Sequence, residues 1–333
     1  MKNLLITGGC GFIGSNLLLH LHEKYPDYQL LNLDKLTYAA DPKHLSGIDS
    51  SERYTFLQAD ISNFSQVADI FKNYDIEGVI HLAAESHVDN SIESPDEFVH
   101  TNVNGTFNML KAVYLNWMDA PGQTKKGYEH RRFHHVSTDE VYGSLGETGL
   151  FTESTPYAPN SPYSATKAAS DMLVRSYFHT YGLNTVITNC SNNFGPRQHT
   201  EKLIPVIIRK AVAEEPIPIY GDGSNVRDWL YVRDHCTALD LSFHKGIAGE
   251  TYNIGGDNEM SNNRVAKYVC DILDELQPRK NGRSYNELIA FVKDRPGHDW
   301  RYAIDSTKIN NDLGWRTLEK FEENLAETIK YYI

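Results

Sequence analysis

One rhythm runs from residue 4 to residue 189: a short apolar run of strand length, a longer helical pattern, then another strand. Strands are predicted at 4–7, 29–33, 54–59, 78–82, 133–137 and 185–189, and helices at 12–24, 66–74, 97–117 and 163–181. Hairpins cannot join strands spaced this way. Each must return by a crossover, which sets neighbouring strands parallel and places helices on both faces. The expected fold class is therefore α/β, a Rossmann-type doubly wound parallel sheet. After about residue 195 the rhythm breaks. Turn signals crowd together (Gly195-Pro196, Gly221-Asp222-Gly223, Gly255-Gly256, Arg295-Pro296-Gly297), with shorter helices expected near 202–213, 234–243, 262–276 and 306–313. No linker, repeat or low-complexity stretch intervenes. The expected division is a large domain over 1–195 and a smaller C-terminal α/β lobe over 196–333, from which some segments can return to the large domain.

The formal net charge of the 333-residue chain is −12, which argues against a general binder of nucleic acid or of membrane surfaces. An anionic ligand would need a local basic pocket. Cys10, Cys190, Cys236 and Cys270 form no C-x-x-C pair, and are expected as reduced thiols of a cytoplasmic protein. The opening apolar run stops at Gly8, too short for a secretory signal, and no stretch approaches the ~18 apolar residues of a membrane helix. His134 and His135 are adjacent, so on a strand they point to opposite faces. No histidine set has ligand spacing, and no metal is expected. Gly221-Asp222-Gly223-Ser224 lacks a lysine at phosphate-loop spacing and reads as a turn.

Gly8, Gly11 and Gly14 stand between the first strand and the first helix in G-x-x-G-x-x-G spacing. In that context the first glycine permits a tight turn, the second lets backbone approach a pyrophosphate at the helix N-terminus, and the third lets helix and strand pack closely. Asp34 ends the second strand ~20 residues further on, where a carboxylate accepts from ribose hydroxyls and repels a 2′-phosphate. NAD is the cofactor expected, Lys35 weakening the preference over NADP slightly. Asp60-Ile61 and Leu82-Ala83-Ala84 end the third and fourth strands on the same carboxyl edge, with alanines small enough to leave room for a nucleotide.

Tyr163 and Lys167 open a helix behind Pro162 and share one face at i and i+4. A phenol with a pKa of about 10 needs ~4 kcal/mol of help to ionise near pH 7, which an ammonium and a cationic nicotinamide can give. The pair could then take a proton from a sugar hydroxyl. Ser137-Thr138-Asp139-Glu140 closes the fifth strand on the same edge. Alcohol oxidation needs a hydroxyl and the Tyr–Lys pair; two further carboxyls suggest further proton transfers, one as base and one as acid. Taken alone the segment also reads as a helix cap or solvated turn.

These motifs sit in longer segments: 81–90 (HLAAESHVDN), 137–143 (STDEVYG), 163–167 (YSATK), 191–205 (SNNFGPRQHTEKLIP), 218–234 (PIYGDGSNVRDWLYVRD) and 294–299 (DRPGHD). Through them the chain resembles, over nearly its whole length, the nucleotide-sugar 4,6-dehydratases of the extended short-chain dehydrogenase/reductase family, with dTDP-glucose as the implied substrate. The glycine and Tyr–Lys motifs mark only the superfamily; the Asp139-Glu140 pair is more specific, related 4-epimerases generally carrying small residues there. The resemblance implies an NAD-dependent carbon–oxygen lyase of deoxysugar biosynthesis. Tyr163 takes the O4 proton as C4 is oxidised, Glu140 removes the C5 proton, Asp139 protonates the departing C6 hydroxyl, and hydride returns to C6 as C5 is reprotonated. Thr138 polarises the C4 oxygen, and Lys167 also holds the nicotinamide ribose.

The resemblance extends the cofactor set to Phe12, Ile13, Leu36, Thr37, Ser86, Thr101 and Asn193. It gives a substrate set of Ser86, His87, Asn192, Lys202, Leu203, Pro218, Ile219, Tyr220, Arg227, Asn262, Arg295 and His298, together with Thr138, Asp139 and Glu140. Arg227 and Arg295 suit a diphosphate, since a guanidinium binds two oxygens at once. Pro218-Ile219-Tyr220 suits a pyrimidine as an apolar and aromatic ledge. The chain departs from the family at Asn90, usually arginine, at His199-Thr200, usually aromatic-proline, and at Phe194, commonly tyrosine. These departures are expected on the substrate side and leave open UDP-glucose 4,6-dehydratase activity. Two further rivals are a nucleotide-sugar 4-epimerase and a catalytically silent NAD-binding regulator. Surplus apolar residues on the helices at 97–117 and 163–181 suggest a homodimer through those two helices.

Overall fold

The computed structural model describes residues 2–294, 298–317 and 320–333. In chain order β1 (Lys2–Thr7), α1 (Phe12–Lys24), β2 (Tyr28–Asp34), β3 (Tyr54–Gln58), α2 (Phe64–Asn73) and β4 (Ile76–His81) build the first half of the sheet. Then come α3 (Val88–Glu93), α4 (Pro95–Phe98), α5 (Thr106–Trp117) and a short hairpin of β5 (Met118–Ala120) and β6 (Gln123–Thr124). β7 (Arg132–Thr138), α6 (Pro162–Tyr181) and β8 (Thr185–Cys190) complete the regular alternation. The remainder holds β9 (Asn192–Phe194), α7 (Leu203–Val212), β10 (Ile217–Tyr220), β11 (Val226–Tyr231), α8 (Val232–Lys245), β12 (Thr251–Ile254), β13 (Glu259–Ser261), α9 (Asn262–Leu276), β14 (Ile289–Val292), α10 (Thr307–Leu313) and α11 (Phe321–Tyr332).

Among the described residues the main sheet has seven strands in the order β12-β8-β7-β4-β1-β2-β3, every pair parallel. Apart from the partly exposed edge strand β3, its strands are buried on both sides, and alternate residues feed alternate layers. Leu5, Leu31, Val79, Phe133 and Ile187 face one core with apolar residues of α2, α5 and α6. Leu4, Ile6, Leu30, Ile80 and Val186 face the other with those of α1 and α8. The order reverses beside β1, so the crevice between the β1 and β4 ends is the place for a ligand.

Two elements from beyond residue 195 enter this layer system. β12 pairs with β8 from Thr251↔Ile187 to Ile254↔Cys190, and α8 packs against α1. Asp240 of α8 knots the two helices together, accepting from His20 (2.8 Å), Lys24 (2.7 Å) and Tyr25 (2.8 Å) of α1 and from His244 (2.8 Å). The rest of that half forms the parallel pair β10-β14 and the three-stranded sheet β13-β11-β9, backed by α7, α9 and α11.

The helix expected at 97–117 is not one regular helix. Between α4 and α5 a π-helical stretch spans Val99–Gly105. Its wide turn coincides with two inward-facing polar residues, Thr101 and Asn102. Asn102 Oδ1 accepts from the Glu85 amide (2.8 Å) and its Nδ2 donates to Thr166 of α6 (3.0 Å), so the turn is locked to the functional edge. The sequence shows these polar residues but not the change of period. All four cysteines are buried free thiols. No described helix is long and apolar enough to cross a membrane.

Candidate active site

A cleft with about 1600 Å³ of empty space runs along the carboxyl edge of the sheet. The glycine turn forms one end. Gly8 has φ +73°, and a Cβ there would come within 2.9 Å of Ala83 backbone; a Cβ on Gly14 would come within 2.2 Å of the Gly8 carbonyl. Larger residues at either place would push β1, α1 and the β4 end apart. Asp34 closes β2, only 7% exposed, its Oδ2 accepting from the Cys10 amide (2.9 Å) and its Oδ1 from the Leu36 amide (2.8 Å). Burial raises its pKa and these two amides oppose the rise. A carboxylate has about four lone-pair sites, so this one is aimed and retains capacity for ribose hydroxyls. Lys35 pairs with Asp60 at 2.8 Å, so its charge is compensated within the wall.

Phe12, Ile13, Gly11, Thr37, Asp60 and Ile61 line the same end, and Leu82, Ala83, Ala84, Ser86, Thr101 and Asn193 continue the wall toward the far end. Of the expected cofactor residues, Leu36 alone is outside the lining; it has φ +63° and packs against the core beside α1, leaving only its amide for Asp34. The residues present fit a dinucleotide.

Thr138, Asp139, Glu140, Tyr163 and Lys167 meet at the other end of the cleft. β7 delivers the first three, which turn into a single 3-10 turn over Asp139–Tyr142 with Thr138 accepting from the Glu140 amide. α6 delivers the other two. Its start is sharply set: Ser161 Oγ accepts from the Ser164 amide (3.1 Å), Ser164 Oγ accepts from the Ser161 amide (3.0 Å), and Pro162 fills the first helical position. Lys167 is 4% exposed and its Nζ donates to the Val136 carbonyl at 2.9 Å.

Electrostatics separate the groups. Burial raises Asp139 well above the usual carboxylate range, reinforced by Glu140 and Asp228 and opposed by Arg227 and the Thr138 hydroxyl. Its Oδ2 is buried with no hydrogen-bond partner among the described residues. Burial also raises Tyr163 well above an ordinary phenol, with Glu140 and Cys190 adding to it and a hydrogen bond with Thr138 opposing it. Burial lowers Lys167, while Asp171 and Cys190 work the other way. The site thus sets a carboxyl whose burial favours the protonated form beside a phenol that needs positive charge to ionise.

The expected substrate residues divide. Ser86, Asn192 and Lys202 line the cleft, and Lys202 Nζ donates to the Ser86 carbonyl across its mouth (3.2 Å). His87 caps α3, 3.9 Å from Glu201. Leu203 opens α7 and Asn262 opens α9. Pro218 and Tyr220 present surface on β10, but Ile219 is 0% exposed and belongs to the core, so an apolar ledge there cannot include its side chain. Arg227 is buried over the Tyr302 ring at 4.3 Å and donates to the carbonyls of Val226, Trp300 and Asp299. Instead of a freely swinging fork it is a guanidinium set in backbone, whose charge reaches Asp139. His298 lies 2.6 Å from Asp294 and edge-on to Tyr220. Arg295 lies outside the described residues.

Of the departures, Phe194 is corrected: it is 1% exposed and packs against Phe321 and Trp229, so it is a core residue instead of a substrate contact. His199 lines the cleft, and Asn90 is joined to it through Tyr38, whose hydroxyl accepts from Asn90 (3.0 Å) and whose ring meets His199 edge-on. Sequence reasoning missed Glu85, Gln198 and Glu201 as parts of the cleft wall, and Tyr302, which bonds Asp299 under Arg227. The first three lie inside the longer motif segments, so proximity to those motifs was the available signal.

The chain matches the family model described as GDP-mannose 4,6 dehydratase over residues 5–328. It is 51% identical to dTDP-glucose 4,6-dehydratase of Neisseria gonorrhoeae, covering 100% of this chain and 96% of that one. It is 50% identical to the Salmonella typhimurium protein of the same name, covering 99% and 92%. The chain belongs to the dTDP-glucose 4,6-dehydratase family. Among solved structures of the family, the Streptomyces venezuelae dTDP-glucose 4,6-dehydratase with NAD and TYD bound aligns at TM-score 0.89 and 40% identity, over 99% of this chain and 97% of that one. The Bacillus anthracis dTDP-glucose 4,6-dehydratase in complex with NAD aligns at 0.86 and 42%, over 100% and 96%. A UDP-glucose 4-epimerase from Thermotoga maritima shares the fold at 0.86 but only 27% identity, covering 99% and 98%. The fold is thus common to both chemistries, and the residues of the cleft must distinguish dehydratase from epimerase.

Proposed function

We propose that this chain is an NAD-dependent dTDP-glucose 4,6-dehydratase, forming dTDP-4-keto-6-deoxyglucose and water. The observation that carries the reading is the convergence of Tyr163, Thr138, Asp139 and Glu140 in the cleft that the glycine turn opens. When bound, NAD would accept hydride from C4 of the hexose and return it at C6, with C5 reprotonated as the hydride returns. Tyr163 takes the O4 proton, with Thr138 hydrogen-bonded to it and the Lys167 ammonium nearby. Once C4 is a ketone, C5–H is acidic, and Glu140 is the base that removes it. Asp139, whose burial favours its protonated form, gives a proton to the C6 hydroxyl so that water can leave. The pair Asp139-Glu140 therefore favours dehydration over 4-epimerisation, which needs no acid for a departing hydroxyl.

In this reading residues 1–195 hold the cofactor and the reacting groups, and 196–333 mainly hold the nucleotide. The chain works in the cytoplasm, as its buried reduced thiols suit. It acts as a homodimer through α5 and α6, where Phe107, Leu115 and Met172 are exposed at 42%, 55% and 58%. The direct test is incubation of the purified chain with dTDP-glucose, and separately with UDP-glucose, without added reduced cofactor. A 4-keto-6-deoxy product from the thymidine sugar is expected. A 4-epimer, or preference for the uridine sugar, would replace this reading by one of its rivals.

A further inference from the structure

Asp171 lies on α6, one turn beyond Lys167 and two beyond Tyr163, and is 1% exposed. Its Oδ2 accepts hydrogen bonds from Ser137 Oγ (2.9 Å), Tyr157 Oη (2.9 Å) and Asn189 Nδ2 (3.2 Å). Asn189 Nδ2 also donates to the Thr138 carbonyl at 3.1 Å. Ser137 and Thr138 lead directly into Asp139 and Glu140. One buried carboxylate therefore ties the helix that carries Tyr163 and Lys167 to the strand end that carries the two proton-transfer carboxyls. Neutral donors do not cancel a buried charge, and an unpaired one is costly.

We propose that Asp171 is a positioning residue for the dehydration: the counter-charge that keeps Lys167 an ammonium, and the pin that holds the β7 end in line with Tyr163. The proposal rests on the function inferred above. The groups facing Asp171 come from several elements. Lys167 is on its own helix. His135 of β7 lies with its Nε2 3.2 Å from Oδ1, and burial together with Lys167 holds it neutral. Tyr157 precedes α6 and Tyr142 closes the turn after Glu140, both pushed up by burial and uncharged. Asp171 itself is pushed up to about 6, burial being the main cause and Lys167 the main opposition. The anion is thus present above that pH and lost as pH falls through it.

The test is the pH profile of a single turnover with dTDP-glucose, from about pH 5 to about pH 10, for wild type, Asp171→Asn and Tyr157→Phe. In wild type an acid limb is expected near the Asp171 transition. Asp171→Asn should abolish that limb, slow the first step at least about tenfold, and move the alkaline limb down by about one unit as Lys167 loses its proton more readily. Tyr157→Phe keeps the carboxylate but removes a donor, so its acid limb should rise; it serves even if the Asn variant does not fold. A purely structural role would scale the rate equally at every pH. Wild-type turnover to the keto product with limbs unmoved in the folded variants would overturn the proposal and leave the assigned reaction standing. Failure of wild type to turn over dTDP-glucose would instead remove the reaction.

Discussion

Asp139 and Glu140 are adjacent in the chain yet differently placed. Asp139 is 1% exposed and its burial favours the protonated form, while Glu140 is half-buried and lines the cleft. That asymmetry accords with the proposed roles of Asp139 as acid and Glu140 as base. Glu140→Gln should still oxidise C4 but stall before water loss, accumulating a bound 4-keto-hexose with reduced cofactor; the overall rate should fall at least about 100-fold, read by product assay. Tyr163→Phe should instead lose the first step, by at least about 100-fold in single-turnover appearance of reduced nicotinamide. The proton on Asp139 also sets a direction: water loss should weaken as pH rises through its raised pKa. Much of this site was legible in the sequence because the glycine turn and the Tyr–Lys spacing are local patterns with a local cause. Asp171 and Tyr302 were not, because their meaning comes from partners far along the chain, Ser137 and Asn189 for one and Arg227 for the other.

At the level of elements, α6 has to arrive at one angle and one register for Tyr163 to face the cleft. The reciprocal Ser161–Ser164 cap sets where it begins. Ser161→Ala should cost about 1 kcal/mol in urea unfolding and loosen the first turn. On the opposite side of the helix, Met172→Asp should dissociate the proposed homodimer in sedimentation, because a charge would then be buried in an apolar contact. The strands and long helices were readable from period alone, since a sheet buried on both faces demands near-continuous apolar runs. β12 was not, because Thr251-Tyr252-Asn253-Ile254 is short and half polar, and only its pairing with β8 makes it a strand. The π-helical stretch at Val99–Gly105 was hidden for a similar reason: the wide turn follows Asn102 bonding to Glu85 and Thr166, neither close in sequence.

Over the whole molecule, the two faces of the sheet are secured by different means, and the α1–α8 face depends on a charge. Burial works to raise the pKa of Asp240, but hydrogen bonds from His20, His244, Lys24 and Tyr25 outweigh it and hold the carboxylate well below the usual range. A depressed folded-state pKa contributes stability above the unfolded value of about 3.9, lost as pH falls below it. Asp240→Asn should therefore cost about 3 kcal/mol at neutral pH and flatten the loss of stability on acidification, measured by thermal melts across that range. The placement of β12 has its own consequence during synthesis. A ribosome must extend the polypeptide past Ile254 before β8 acquires its outer neighbour. Until then the nascent sheet presents an open hydrogen-bonding margin, the kind of template on which half-made chains adhere to one another. Stopping translation shortly before that point should yield a product that clumps, whereas release just after α8 and β12 have emerged should not.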